Sequence, residues 1–145
     1  ILVGHGGNLA VADHMAADIA RLTKYKKSTI CPGSAIAATS FINDSDFSHW
    51  MALWFQSILN LVNPNNSLII GISSSGNSKD IAELFDYIKN KGFYTALITA
   101  KTSQIIKSDI EICTGCSTYH ASELVALGLG YQLVHGFGYI CPNIK

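Results

Sequence analysis

Serine hydroxyls crowd one short stretch, at Ser73, Ser74, Ser75 and Ser78, directly after the apolar run Leu68-Ile69-Ile70 and Gly71-Ile72. The apolar run suits a buried strand. Gly76 and Asn77 tolerate the positive φ of a sharp reversal. Ser78 then stands where a helix N-cap would be, with Asp80 in the first turn. Such a strand, loop and helix start would put free backbone N–H groups and the positive end of a helix dipole beside the hydroxyls. An anion of phosphate size fits that environment. An ordinary strand-to-helix loop with a serine cap would read the same way. The loop holds no lysine and no GxxxxGK[ST], so a nucleotide P-loop is not supported.

A second group with chemical potential is His14 and Asp18, four residues apart and so on one face of a helix. At about 100° per residue, with Val11 at 0°, Leu22 falls near 20°, Asp18 near −20° and His14 near −60°, so Asp18 lies in the middle of the apolar stripe. A carboxylate there needs a partner, a metal or a proton. A structural Asp–His pair, or rescue by Arg21, would meet that need as well as a functional role. Glu123 is another carboxylate on an apolar helix, with His120 near it. Cys113-Thr-Gly-Cys116 is a CxxC, but it lacks the second pair or spaced histidines of a zinc site. Cys113 also ends a strand rather than starting a helix. The four cysteines, Cys31 and Cys141 included, therefore read as free thiols in a reducing cytoplasm.

These residues must be held by a framework. Ile1–Gly4 reads as a first strand, followed by a helix capped by Asn8 and running to about Thr23. Lys24–Lys27 reads as a solvated turn and Ser28–Cys31 as a short strand candidate; Ala35–Ile42 fits neither pattern cleanly. Asp46–Val62 carries Trp50, Met51, Trp54, Ile58 and Leu61 at helical spacing, and Pro64 ends it. Leu68–Ile72, Tyr94–Thr99 and Ile110–Cys113 read as strands, with a helix over Lys79–Lys91 stopped by Gly92. His120–Tyr139 reads as a long helix, apolar nearly all round and so buried on more than one side. Gly128 and Gly130 would permit close helix contact there. Strands alternating with helices imply a three-layer α/β/α sandwich around a central parallel sheet, flavodoxin-like or Rossmann-like. Ligands in such sheets bind beyond the carboxyl ends of the strands, so loops 5–8 and 73–78 should converge on one crevice.

The 145 residues read as one domain, 48% apolar and only 14% charged, with formal net charge zero. That balance disfavours nucleic-acid binding by charge. No apolar run reaches the ~18 residues of a membrane span.

The string Gly71-Ile72-Ser73-Ser74-Ser75-Gly76-Asn77-Ser78 resembles the phosphosugar-binding loop of the sugar isomerase (SIS) domain family, and within it the phosphoheptose isomerases. Gly4-His5-Gly6-Gly7-Asn8 stands where those isomerases usually carry Gly-Asn-Gly-Gly-Ser. The resemblance covers nearly all of residues 1–145 as a single SIS domain. A helix commonly precedes the first strand in the family; either it is absent here or the sequence is truncated ahead of Ile1. The resemblance implies binding of a sugar phosphate by His5, Gly6, Gly7, Asn8, Ser73, Ser74, Ser75 and Ser78. Ser45-Asp46-Phe47 matches a substrate-holding Asn-Asp-Phe element, with Ser45 in place of Asn. The family's His-x-x-x-Glu fits His14 and Asp18, which implies a general base at Asp18 with His14 beside it, and a possible zinc site at the same two residues. Asp18 is one methylene shorter than the family Glu. Aligning Glu123 with a family Glu of the last helix places it in the substrate site. The same alignment puts Gly130 where the second acid/base histidine is expected.

The implied function is aldose–ketose isomerisation of sedoheptulose 7-phosphate or a related sugar phosphate through an enediol. The other reading is a non-catalytic SIS module that senses a phosphosugar or binds a protein partner. Family members are commonly homotetramers with sites completed across subunits. Trp50, Trp54 and Phe55, with the apolar last helix, point independently to a homodimer or tetramer.

Overall fold

A computed structural model describes residues 1–33 and 35–144. Four parallel strands lie in chain order: β1 (Leu2–Gly4), β2 (Leu68–Ile72), β3 (Tyr94–Thr99) and β4 (Ile110–Cys113). Val3 aligns with Gly71, Gly71 with Leu97, and Leu97 with Glu111. The helices are α1 (Gly7–Leu22), α2 (Ala35–Asp44), α3 (Trp50–Ile58), α4 (Lys79–Lys89) and α5 (Tyr119–Gly136).

Strand parity divides the core. Val3, Ile69 and Leu97 pack with α3 and α4, through Trp50, Phe55, Ile81, Leu84 and Phe85. Leu2, Ile70, Ile72, Ala96 and Ile98 face the other way, onto Met15 and Ile19 of α1 and Ala126 and Val134 of α5. Successive side chains of a strand point to opposite faces, so a sheet covered on both sides reads as a continuous apolar run. A Cβ on Gly71 would come within 2.9 Å of Ile81, so glycine lets α4 lie close on β2. The three-layer parallel architecture expected from the alternation of elements is the observed one.

Several local expectations change. Asn8 does not cap α1: Gly6 precedes the helix with φ 50°, and Asn8 lies inside its first turn, buried. Ser28–Cys31 forms no strand; its link to β1 is a single bond from the Leu2 amide to the Ile30 carbonyl. Ala35–Asp44 is a helix. The segment read as one helix over Asp46–Val62 starts only at Trp50 and tightens into a 3₁₀ turn over Leu59–Leu61. Trp50, Trp54 and Phe55 are 2%, 8% and 0% exposed. The sheet and α4 consume that aromatic stripe within the chain, so it offers nothing to a neighbouring subunit. α5 buries one face, through Ser122, Ala126, Gly130 and Val134, while Leu124 and Val125 are exposed.

Candidate functional site

The loop after β2 leaves the sheet with Gly76 at φ 68°. The Gly76 amide donates to the Ser73 carbonyl, which closes the turn. Ser78 takes the N-cap position of α4, yet its hydroxyl is not spent on the helix. It pairs with the Ser73 hydroxyl at 2.7 Å. Ser74 is buried against the side chain of Asn8, whose amide donates at 3.1 Å. This bond ties the two loops together. Ser75 is exposed at the tip and accepts from the Asn77 amide. The loop borders a cavity of about 220 Å³ that also takes in Lys101, Cys116, Thr118 and Tyr119. Thr118 caps α5 by accepting from the Ala121 amide. Lys101 and the start of α5, at Thr118 and Tyr119, therefore bring positive potential to this concavity.

On the β1 side, His5 Nε2 lies 2.6 Å from Asp80 Oδ1. Asp80 is fully buried and also accepts from the Trp50 indole at 2.8 Å and from the Ile81 amide at 2.9 Å. The His5 ring stacks on Phe47 with centroids 5.1 Å apart. A Cβ on Gly7 would overlap the Glu123 carboxylate, so α5 sets that carboxylate on the first turn of α1. A negative charge at a helix N-terminus is favourable there. His5, Gly7, Asn8, Ser73, Ser74, Ser75, Ser78 and Glu123 thus gather at the carboxyl ends of β1 and β2.

Other residues expected at the site have local partners of their own. Asp46 is exposed and caps the turn before α3, accepting from the Ser48 and His49 amides at 2.7 and 3.1 Å. The Ser45 hydroxyl turns back to the Phe41 carbonyl. Asp18 is ten residues along α1 from Asn8, about 15 Å at the helical rise. Arg21 donates to one of its oxygens at 2.8 Å and Tyr131 of α5 to the other at 2.9 Å. His14 Nε2 stands 3.2 Å from both the Tyr131 hydroxyl and the Asp18 carboxylate. Partial burial pushes the Asp18 carboxyl up; the Arg21 and Tyr131 hydrogen bonds and the nearby charges outweigh it and hold it below the usual range. The hydrogen bond to Asp18 raises the Tyr131 phenol. A side chain on Gly130 would strike Met15, with a Cβ only 2.6–3.0 Å from its thioether chain. Helix contact therefore explains the glycine where a histidine was expected.

Zinc does not fit His14 and Asp18. A guanidinium occupies one carboxylate oxygen, and no group of three metal-ligating side chains occurs among the described residues.

Sequence reasoning overlooked Lys101, Thr118, Tyr131 and the Trp50–Asp80 pair. Lys101 and Thr118 follow the carboxyl ends of β3 and β4, so the rule used for the other loops extends to them. Tyr131 and Trp50 reach their partners only through tertiary packing.

No family model matches the chain. It is 29% identical over 119 residues to a phosphoheptose isomerase of Buchnera aphidicola, covering 78% of this chain and 59% of that one. It is 30% identical over 101 residues to the phosphoheptose isomerase of Sulfurimonas denitrificans, covering 70% and 52%. The chain thus spans a little over half the length of these relatives. Among solved structures, the phosphoheptose isomerase of Neisseria gonorrhoeae superposes with a TM-score of 0.74 at 18% identity, over 94% of this chain and 75% of that one. A phosphoheptose isomerase from Francisella tularensis gives 0.75 at 17% identity, over 92% and 73%. In sequence and in fold, the chain is similar to phosphoheptose isomerases of the SIS type, the family its two loops resemble.

Proposed function

We propose that this chain binds a sugar phosphate and isomerises it between aldose and ketose, with sedoheptulose 7-phosphate or a related sugar as substrate. The observation that carries the reading is the serine loop, through Ser74 and Ser75, bordering a cavity of about 220 Å³, with Lys101 at its wall and the N-terminus of α5 lining it. Those groups suit a phosphate dianion. The sugar then extends toward Gly7, Glu123 and His5. The reaction needs a base to move a proton between neighbouring carbons and a group to manage the proton on oxygen. The chain's relatives carry the name of this activity. We further take the protein to be cytoplasmic, from its free thiols, and a homo-oligomer.

The test is incubation with sedoheptulose 7-phosphate, followed by NMR for the aldose product and for solvent hydrogen incorporated at its C2. Product and exchange are expected together. Binding without either outcome points to the second reading, a phosphosugar-sensing module. That alternative draws on a specific observation: Gly130 is packed against Met15, and Asp18 is engaged by Arg21, Tyr131 and His14.

A further inference from the structure

We propose that His5, oriented by the buried Asp80, is the proton-transfer group of this site; the proposal rests on the isomerase reading above. The aspartate carries the argument. Asp80 is 0% exposed, and an ionised carboxylate in that position demands donors. The Trp50 indole and the Ile81 amide supply two, and neither bears a charge. The third is His5 Nε2 at 2.6 Å, in a ring whose side chain is 27% exposed. A carboxylate accepts only, so Nε2 carries the hydrogen in this pair. Neutral His5 is thereby fixed as the tautomer with its lone pair on Nδ1. Nδ1 has no hydrogen-bond partner among the described residues. A histidine kept only to satisfy Asp80 would need neither that free nitrogen nor its exposure.

Position completes the case. His5 directly follows β1 and precedes Gly6-Gly7, while Asp80 lies in the first turn of the helix that begins after Ser78. The pair therefore bridges the two loops that the Asn8–Ser74 bond also joins. Phe47 and Trp50 wall the ring on its face and edge, at centroid distances of 5.1 and 6.3 Å, and restrict its rotation. A base backed by a buried carboxylate and held in one tautomer is the arrangement that activates histidine in hydrolases.

The step balances within the substrate. Nδ1 takes the C2 proton of the open-chain aldose, and the C–H electron pair becomes the C1–C2 double bond. The carbonyl pair moves to O1, which gains the proton lost from the O2 hydroxyl. As C2=O forms, Nδ1–H returns its proton to C1. Asp80 remains ionised and stabilises the transient imidazolium.

The experiment compares full-length wild type with His5→Gln across pH, using sedoheptulose 7-phosphate. Calorimetric binding of the same sugar and thermal melting are measured alongside. The expected result is a loss of about 10²–10⁴-fold in kcat and in C2 exchange, with the acidic limb of the pH profile abolished and the dissociation constant changed less than about threefold. Should the variant fail to fold, NMR of ring-labelled wild type replaces it: sugar phosphate is expected to shift the His5 Nδ1 resonance. A wild type that isomerises while His5→Gln keeps its kcat within about threefold, or a His5 Nδ1 resonance blind to the ligand, overturns this proposal alone. A wild type that binds the sugar without turnover or exchange overturns the isomerase reading and this proposal with it.

Discussion

A carboxylate inside a protein must find donors, and Asp18 finds them in Arg21, Tyr131 and His14. Its side chain is 17% exposed and its pKa is held below the ordinary value. A depressed folded-state pKa contributes stability that is present above the unfolded value, about 3.9, and is lost as pH falls through the folded value. Asp18→Asn should therefore cost about 1–2 kcal/mol at pH 7, from hydrogen bonds involving charged partners. The deficit should shrink as pH drops below about 4. Urea melts of both proteins across pH would check it, and a deficit that does not vary with pH would contradict the assignment. Ser75 belongs to the same scale. It is exposed at the cavity, and its hydroxyl accepts from a loop amide while keeping its own proton to donate. Ser75→Ala should weaken sugar-phosphate binding by about 1–2 kcal/mol with little effect on the fold. Calorimetry giving equal affinities would remove Ser75 from the site.

The pairing of α1 with α5 sets how close the site's two halves can come. Gly130 is where the helices meet, because any Cβ there runs into the Met15 side chain. Gly128, one half-turn away, meets nothing within 4 Å. The two glycines should respond oppositely to alanine. Gly130→Ala should cost about 1–3 kcal/mol through overpacking. Gly128→Ala should gain about 0.5–1 kcal/mol from helix propensity. Denaturant midpoints for the pair make an internally controlled test, and equal shifts would contradict the packing account. Elements of this kind were legible where one rule dominated. The apolar strand runs announced the parallel sheet, and the serine loop announced a strand-to-helix junction. Where rules competed, the sequence misled. Asn8 has a capping side chain, but Ser74 recruits it across 66 residues of chain. The Trp50 stripe has an interface composition, but α4 and the sheet bury it. Asp80 reads as a helix-dipole residue, and only folding brings it to Trp50 and His5. Local patterns name elements; long-range polar pairs depend on docking that no local pattern encodes.

With the aromatic stripe of α3 consumed inside the chain, the case for assembly moves to α5 and the free edge of β4. Tyr119, Leu124 and Val125 are 64%, 72% and 42% exposed, and Ile110 and Ile112 on β4 are exposed as well. Large contiguous apolar patches are uncommon on soluble monomers, and an open strand edge is prone to pairing unless covered. Covering them in a second copy gains roughly 25 cal/mol per Å² before association costs. A two-fold contact would be self-complementary, with α5 packing near its own copy. Assembly also bears on chemistry. The His14–Asp18–Tyr131 cluster stands about 15 Å along α1 from Asn8, and whether it serves the crevice of a neighbouring copy is open to test. The two candidate proton-transfer sets can then be separated by mixing. Static light scattering at micromolar concentration should give a dimer or larger. Leu124→Glu combined with Val125→Lys should shift that mass toward the monomer. In the assembled protein, His5→Gln and Asp18→Asn subunits are co-refolded and assayed with sedoheptulose 7-phosphate. If His5 acts alone within its own crevice, the Asp18→Asn protein is already active and mixing adds nothing beyond dilution. If Asp18 of one copy acts beside His5 of another, each variant is inactive alone and the mixture recovers up to about a quarter of wild-type activity for a randomly assorted two-fold pair. A monomeric wild type would remove the shared-crevice arrangement and leave His5 and Asp80 as the proton-transfer pair within one chain.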